Sequence, residues 1–133
     1  MQWSCEENAG FTSGMPWLKV NPNYTKINVE EEEKDASSVL AYYKELLALR
    51  KAPDYVEVFT YGDFVPAYDG EEMLFAYHRK NENKDILIVT NFGTRTKFPL
   101  EKSGKLLLKN REDVLLEEDG LILPKCGAAV VEC

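Results

Sequence analysis

The sequence contains few of the residue types that usually carry catalysis or bind metals. It has a single histidine, His78, and three cysteines, Cys5, Cys126 and Cys133, which lie in no metal-ligand spacing. An odd number of cysteines disfavours a disulfide framework, so we expect reduced thiols. No glycine-rich phosphate loop, Ser-His-Asp set or Cys-His cluster can be assembled. The sequence therefore predicts no catalytic residue, no metal site and no cofactor in this chain.

Long apolar runs and an excess of positive charge are also missing. No stretch approaches the roughly eighteen consecutive apolar residues of a transmembrane helix. The N-terminal letters MQWSCEENAG lack the basic and apolar regions of a signal peptide. The net charge of −7 disfavours nucleic acid and anionic membranes, because both require clustered Lys and Arg. We therefore expect a cytoplasmic protein without nucleic-acid or membrane partners, which interacts with neutral molecules or proteins.

The most regular element is a helix predicted over residues 37–51, SSVLAYYKELLALRK. Asp35, Ser37 and Ser38 offer oxygens for its N-cap, and Ala52-Pro53 ends it, because proline cannot donate the next helical hydrogen bond. Its apolar residues recur at intervals of three and four, so they form a stripe that is expected to be buried. The stripe consists of Val39, Leu40, Tyr43, Leu46, Leu47 and Leu49.

The segment before this helix is rich in aromatic residues and has no periodic pattern. Its rings, Trp3, Phe11, Trp17 and Tyr24, are separated by glycines and prolines. Such a segment cannot bury its rings in regular structure of its own, so we expect it to lie against a neighbouring surface. The alternative is that the rings cover the back of the domain that follows. Residues 28–34 predict a short helical turn whose glutamates face solvent instead of binding a cation.

After Pro53 the apolar period changes from about 3.6 to 2, which is typical of strands. Strands are predicted at residues 56–61, 64–68, 72–80, 85–92, 97–100, 105–109, 113–116, 121–123 and 128–132. Asp69-Gly70 is expected to form a hairpin turn, and 85–92 to be the central, doubly buried strand. The fold class is therefore mainly β: an antiparallel β-sandwich or Greek-key barrel preceded by one α-helix and an aromatic-rich loop segment.

Two groups of residues are candidate catalytic sites, but their positions in the sequence favour structural roles. His78 lies on a predicted strand, where a single histidine is usually a hydrogen-bonded structural residue. The acid pairs Asp63 with Asp69 and Glu71 with Glu72 resemble the two carboxylates of a glycosidase. However, they lie at predicted turns, where acidic side chains cap backbone amides or face water.

The motifs MQW, NAGFT, PWLKVNPNY and INV, followed by ELLALRK and YGDF, resemble the C-terminal end of glycoside hydrolase family 13. The resemblance covers essentially the whole chain and is most specific up to Asp63. It is greatest to the oligo-1,6-glucosidase, dextran glucosidase and trehalose-6-phosphate hydrolase group. It implies that residues 1–54 are the last loop and helix of a (β/α)₈ catalytic barrel. Residues 55–133 would be the family's C-terminal β-sandwich domain.

The resemblance also implies where the active site lies. The family's aspartate nucleophile, glutamate acid/base and second aspartate belong to barrel strands that would precede residue 1, so Met1 is expected to be an internal motif residue. Met1, Gln2 and Trp3 would lie closest to the active-site rim, and we assign them neither a catalytic nor a substrate-binding role. The expected partners are the enzyme's own barrel and, in the complete enzyme, a small α-glucoside. Without the barrel, a homo-oligomer is expected to cover the N-terminal aromatic residues.

Two hypotheses about function remain open. The first is a non-catalytic structural part of an α-glucosidase that uses the retaining mechanism. The second is a stand-alone carbohydrate-binding or protein-interaction module, in which Tyr61, Phe64 or Tyr68 provides a ring on which a sugar stacks.

Overall fold

A computed structural model describes residues 1–67, 72–100 and 103–133. The chain forms two compact units, Met1–Ala48 and Leu49–Cys133. The first unit is mostly loop with short helical segments, and the second contains the strands. The division into domains 1–54 and 55–133 that the resemblance implies stays a prediction.

The first unit contains two 3₁₀ turns and two α-helices. The turns are Glu7–Gly10 and Pro22–Thr25, and the helices are α1, Val29–Glu32, and α2, Val39–Lys51, whose last residues belong to the second unit. Ser38 caps α2: its hydroxyl accepts a hydrogen bond from the Ala41 amide at 3.1 Å and donates one to the Glu32 carbonyl at 2.7 Å. The predicted helix and its cap are therefore present, beginning two residues later than expected.

The apolar stripe of α2 is not buried as expected. Val39, Tyr43 and Leu47 are 72%, 58% and 42% exposed, and none of the residues of α2, all of which are described, is buried. These three residues are spaced four apart and so lie on one side of the helix. The first unit consists of loop and short helical turns, which are too few to cover this side.

The second unit begins with a helix where the sequence predicted a strand. Val56–Tyr61 is α3, and its backbone continues from the turn at Ala52, whose carbonyl accepts from the Val56 amide at 2.8 Å. The residues VEVFTY favour a strand by propensity, so this prediction was wrong. Burial decided the outcome: Val58 is 1% exposed and packs with Ile86 and Val130.

Eight described strands form two antiparallel sheets, as the predicted sandwich requires. The five-stranded sheet contains, in spatial order, β1 Asp63–Pro66, β2 Leu74–Lys80, β3 Asp85–Asn91, β8 Ala128–Glu132 and β5 Lys105–Lys109. The three-stranded sheet contains β4 Thr96–Pro99, β7 Gly120–Leu123 and β6 Leu115–Glu117. Eight of the nine predicted strands correspond to these elements. The predicted turn at Asp69-Gly70 lies outside the described residues.

The central strand β3 is covered on both faces, which explains its continuous apolar run. On one face Leu87 and Val89 join the core between the sheets, together with Leu121, Leu123 and Val131. On the other face Ile86 packs with Val58 of α3, and Leu49 and Phe59 lie against the same cluster. The prediction of a doubly buried central strand is confirmed.

A buried asparagine links the two sheets at the end of β3. The side-chain amide nitrogen of Asn91 lies 3.0 Å from the carbonyl oxygens of both Leu123 and Pro124, at the end of β7, and 2.7 Å from that of Thr94. Its side-chain oxygen accepts from the Gly93 amide at 2.9 Å. Asn91 therefore supplies hydrogen-bond partners to three backbone carbonyls and one backbone amide at this end of the sandwich.

Candidate functional site

The first three residues, expected to lie nearest an active-site rim, are fixed by hydrogen bonds to the start of α1. The Gln2 carbonyl accepts from the Val29 amide and the Trp3 carbonyl from the Glu30 amide, both at 3.0 Å. The Gln2 side chain donates to the Ile27 carbonyl at 2.5 Å. The segment is therefore extended and anchored, although Met1 and Trp3 are themselves exposed.

The NAG motif, residues 8–10, forms a left-handed turn that is hydrogen-bonded to the segment of residues 1–3. Asn8, Ala9 and Gly10 have φ angles of 55°, 56° and 70°, and the Ala9 carbonyl accepts from the Trp3 amide at 2.9 Å. A left-handed conformation costs roughly 1–2 kcal/mol at a residue with a Cβ. Because Ala9 is fully buried, its packing maintains that conformation. The motif thus fixes the path of the loop that follows residue 1.

An apolar groove of about 780 Å³ lies within the first unit. Its lining includes Met1 and Gln2, the loop around Trp17, and Val39 and Tyr43 from α2. Trp17 is 91% exposed although its indole is among the largest apolar side chains of the chain. A groove with this lining presents apolar contact area and few polar groups that could orient a small ligand.

The four successive glutamates at residues 30–33 pair with lysines or accept from a backbone amide. Glu30 and Glu31 pair with Lys34 at 3.3 and 2.9 Å, and Glu33 pairs with Lys44 at 3.2 Å. Among the residues that the structure describes, no group of three His, Cys, Asp or Glu residues could hold a metal ion.

His78 lies on β2 in a charged cluster at the end of the sandwich. Its Nδ1 is hydrogen-bonded to the Asp85 carboxylate, whose second oxygen lies 2.8 Å from Lys80 Nζ. Asp85, at the start of the neighbouring strand β3, therefore fixes the imidazole. The hydrogen bond predicted for His78 is present. The structure describes one member of each acid pair that resembles a glycosidase pair: Asp63 begins β1, and Glu72 precedes β2. Asp69 and Glu71 lie outside the described residues.

Of the three aromatic residues considered for sugar stacking, Phe64 has ring neighbours in the described part of the chain. Phe64 stacks on Tyr77, with ring centroids 4.9 Å apart and planes 30° apart. Phe75 lies beside Tyr77 at 5.5 Å. Tyr61 is 84% exposed at the end of α3, and Tyr68 lies outside the described residues. Sequence reasoning missed Tyr77 and Phe75; alternation within β2 places them on one face, but only the strand register brings Phe64 to them.

A network of partly buried side chains surrounds Glu132 on β8. Its carboxylate accepts from the Tyr55 hydroxyl at 2.8 Å and pairs with Lys84 Nζ at 2.5 Å, and Lys84 also lies 4.8 Å from the Tyr55 ring centroid. The hydrogen bonds from Lys84 and Tyr55 lower the pKa of Glu132. Conversely, the hydrogen bond to Glu132 raises the pKa of Lys84 and of Tyr55. These three side chains form a structural network within the second unit.

Comparison with known proteins identifies the family. The model of the α-amylase catalytic domain matches residues 1–62. Over 130 residues the chain is 43% identical to probable oligo-1,6-glucosidase 2 of Bacillus subtilis (strain 168), which covers 93% of this chain and 23% of that relative. The chain belongs to glycoside hydrolase family 13. This family 13 chain therefore spans about a quarter of the length of that curated relative.

Two further relatives agree with this assignment. The trehalose-6-phosphate hydrolase of Bacillus subtilis (strain 168) is 40% identical over 120 residues, which cover 84% of the family 13 chain and 21% of the relative. The crystal structure of isomaltulose synthase from Klebsiella sp. LX3 superposes with a TM-score of 0.89 at 30% identity, over 98% of this chain and 24% of that one. In the described part of the chain, no helix is long and apolar enough to span a membrane.

Proposed function

We propose that this chain is the C-terminal part of an α-glucosidase that hydrolyses the α-glucosidic bonds of small oligosaccharides. The observation that carries the proposal is the 43% identity to a probable oligo-1,6-glucosidase over 93% of the chain. A trehalose-6-phosphate hydrolase is nearly as similar, at 40%. The proposal is therefore for cleavage of α-glucosidic bonds and does not choose between these two substrates.

The partner proposed for the first unit is the remainder of the catalytic barrel. Support comes from the exposed stripe of Val39, Tyr43 and Leu47 and from the groove beside it. Burying each such side chain stabilises a fold by about 1.5–3 kcal/mol. A complete enzyme that buries these side chains is therefore more stable. The α-amylase catalytic-domain model matches only residues 1–62 here. We therefore propose that the rest of that domain buries these exposed side chains.

The chain itself is proposed to be non-catalytic. Retaining glycosidases require two carboxyl groups about 5–5.5 Å apart across the scissile bond. In the resemblance to the family, these groups belong to barrel strands that this chain does not provide. The sandwich and α2 would then stabilise the barrel, while the first residues shape the loop beside its active site.

A chimeric enzyme tests this proposal. The aligned part of the Bacillus subtilis oligo-1,6-glucosidase relative is replaced by this chain, and hydrolysis of isomaltose and trehalose-6-phosphate is measured. We expect the chimera to hydrolyse at least one of them. Tyr43→Asp should abolish soluble, active chimera because it places a charge in the proposed barrel contact. Phe92→Asp, at an equally exposed ring of the second unit, is the matched control and should leave activity in place. A folded chimera that cleaves neither substrate would overturn the proposal.

A further inference from the structure

Three aromatic rings form a continuous row on the second unit. Phe64 of β1 stacks on Tyr77 of β2 at 4.9 Å, and Tyr77 contacts Phe75 at 5.5 Å. Phe64 and Phe75 are each 53% exposed. We call Phe64, Tyr77 and Phe75 the ring row.

The strand register explains why these rings lie on one face. Directly opposed residues in antiparallel strands share a face, and Phe64 opposes Arg79 while Phe75 opposes Thr90. Residues two apart on a strand also share a face, so Phe75, Tyr77 and Arg79 point the same way. The intervening Leu74 and Ala76 are buried in the core between the sheets. The ring row therefore lies on the outer face of the five-stranded sheet, at its β1 edge.

The remainder of this outer face is already covered. Val58 and Phe59 of α3 pack there with Ile86, Ile88 and Val130. Helix α3 thus covers the outer face over β3, β8 and β5. The rings on β1 and β2 stay exposed. The ring row is a narrow strip beside a covered surface and not a broad apolar face.

Polar groups accompany the rings. Within residues 1–67, 72–100 and 103–133, the Tyr77 hydroxyl makes no hydrogen bond, so it can pair with a ligand hydroxyl. The Thr90 hydroxyl, opposite Phe75, donates to the Phe75 carbonyl at 3.3 Å and retains its acceptor lone pairs. A line of ring faces flanked by hydroxyl groups suits a ligand with alternating apolar and hydroxylated surfaces.

We propose that the ring row binds a gluco-oligosaccharide. The C–H faces of pyranose rings pack on aromatic rings, while sugar hydroxyls pair with groups such as the Tyr77 hydroxyl. The net charge of −7 favours this neutral ligand over a phosphorylated or nucleic-acid ligand. The choice of glucose as the sugar rests on the proposed function. The site differs from the expected platform of Tyr61, Phe64 and Tyr68, because it depends on Tyr77 and Phe75.

Nuclear magnetic resonance on the full chain tests the site directly. The ¹⁵N-labelled protein is titrated with isomaltotriose, an α-1,6-linked glucose trimer. We expect saturable shifts of the backbone amides of Phe64 and Val65 and of residues 75–79. No saturable shift, or shifts confined to residues outside β1, β2 and β3, would overturn the proposal.

Matched variants identify the rings that bind. Phe64→Leu and Phe75→Leu keep apolar volume but remove the ring, and each should raise the dissociation constant about tenfold. Tyr77→Phe keeps the ring but removes the hydroxyl, and should weaken binding by a smaller factor. Tyr61→Leu changes a more exposed aromatic residue that has no ring contact in the described part of the chain, and should leave the dissociation constant unchanged. Equal weakening by Tyr61→Leu and Phe64→Leu would contradict the proposal.

The chimera described above separates the two proposals. If it hydrolyses isomaltose while the chain binds no isomaltotriose, only the ring-row proposal fails. If the chain binds isomaltotriose through the ring row while a folded chimera is inactive, only the proposed function fails.

Discussion

The Tyr55 hydroxyl donates a hydrogen bond to the Glu132 carboxylate at 2.8 Å, across 77 positions of the sequence. Lys84 pairs with the other oxygen of the same carboxylate. The residue that precedes α3 is thereby linked to the last strand and to the turn between β2 and β3. This network connects the covering helix of the second unit to the sheet beneath it.

Glu132 should make the stability of the chain depend on acid pH. Folding lowers the pKa of Glu132 from its usual value of 4.5. Its contribution to the free energy of unfolding is therefore fully present above about pH 4.5 and is lost as the pH falls through the folded-state pKa. Urea unfolding of the wild type and of Glu132→Gln should therefore differ most near neutral pH, and the difference should shrink below pH 4.5. Glu112→Gln, at a fully exposed side chain, is the control. A difference that is constant from pH 7 to pH 3 would contradict this role.

Asn91 should be the most important polar side chain of the sandwich. Asn91→Ala removes three hydrogen bonds to backbone carbonyls, and a buried group that is left without a partner costs about 1–3 kcal/mol. The Pro124 carbonyl keeps the Gly127 amide as a donor. Denaturant unfolding should show a loss of at least that size. Asn83→Ala, in the exposed turn after β2, should change the free energy of unfolding by less than about 0.5 kcal/mol. Equal effects of the two substitutions would be inconsistent with the role given to Asn91.

The part of the fold that could be predicted is the part that local pattern determines. Spacing of three and four identified α2, and alternation with turn residues identified eight strands. The error at α3 arose because Val56, Val58 and Thr60 favour a strand, while burial of Val58 against Ile86 favours the helix. The ring row and the contacts of Asn91 were not predictable, because both depend on which strands become neighbours.

Leu47 and Val58 should differ sharply in their contribution to stability. If Leu46 and Leu47 filled an interface with the sandwich, each Leu→Ala substitution would cost roughly 2–5 kcal/mol. Since Leu47 is largely exposed, we expect Leu47→Ala to change the free energy of unfolding by less than about 0.5 kcal/mol. Val58→Ala should cost about 1.5–3 kcal/mol, because Val58 of α3 is buried against Ile86 and Val130. A large loss for Leu47→Ala would show that the α2 stripe is covered within the isolated chain.

The isolated chain should be catalytically silent. Incubation with isomaltose, a nitrophenyl α-glucoside or trehalose-6-phosphate should release no glucose above the uncatalysed rate, because the resemblance to the family assigns none of the catalytic carboxylates to this chain. Glucose release is measured by a coupled assay. Turnover that disappears on substitution of Asp63, Asp69, Glu71 or Glu72 would overturn the assignment of a non-catalytic role.

The isolated chain should also self-associate through its first unit. The groove and the exposed rings Trp3, Phe11 and Trp17 form more apolar surface than a monomer usually leaves in water. A second copy using the same surface would bury it symmetrically. Light scattering should therefore give a mass above that of a monomer for the full chain and a monomer mass for residues 35–133. Monomers in both cases, with Trp3 and Trp17 emitting as fully solvated indoles, would refute this prediction.

The central claim is that this chain forms the end of an α-glucosidase. The most direct test is the kcat/KM of the purified chimera for isomaltose, compared with that of the unmodified Bacillus subtilis relative. We expect a value within about a hundredfold of the relative's, because the chain would restore the proposed barrel contacts without supplying a catalytic group. A well-folded chimera with no measurable hydrolysis of isomaltose or trehalose-6-phosphate would contradict it.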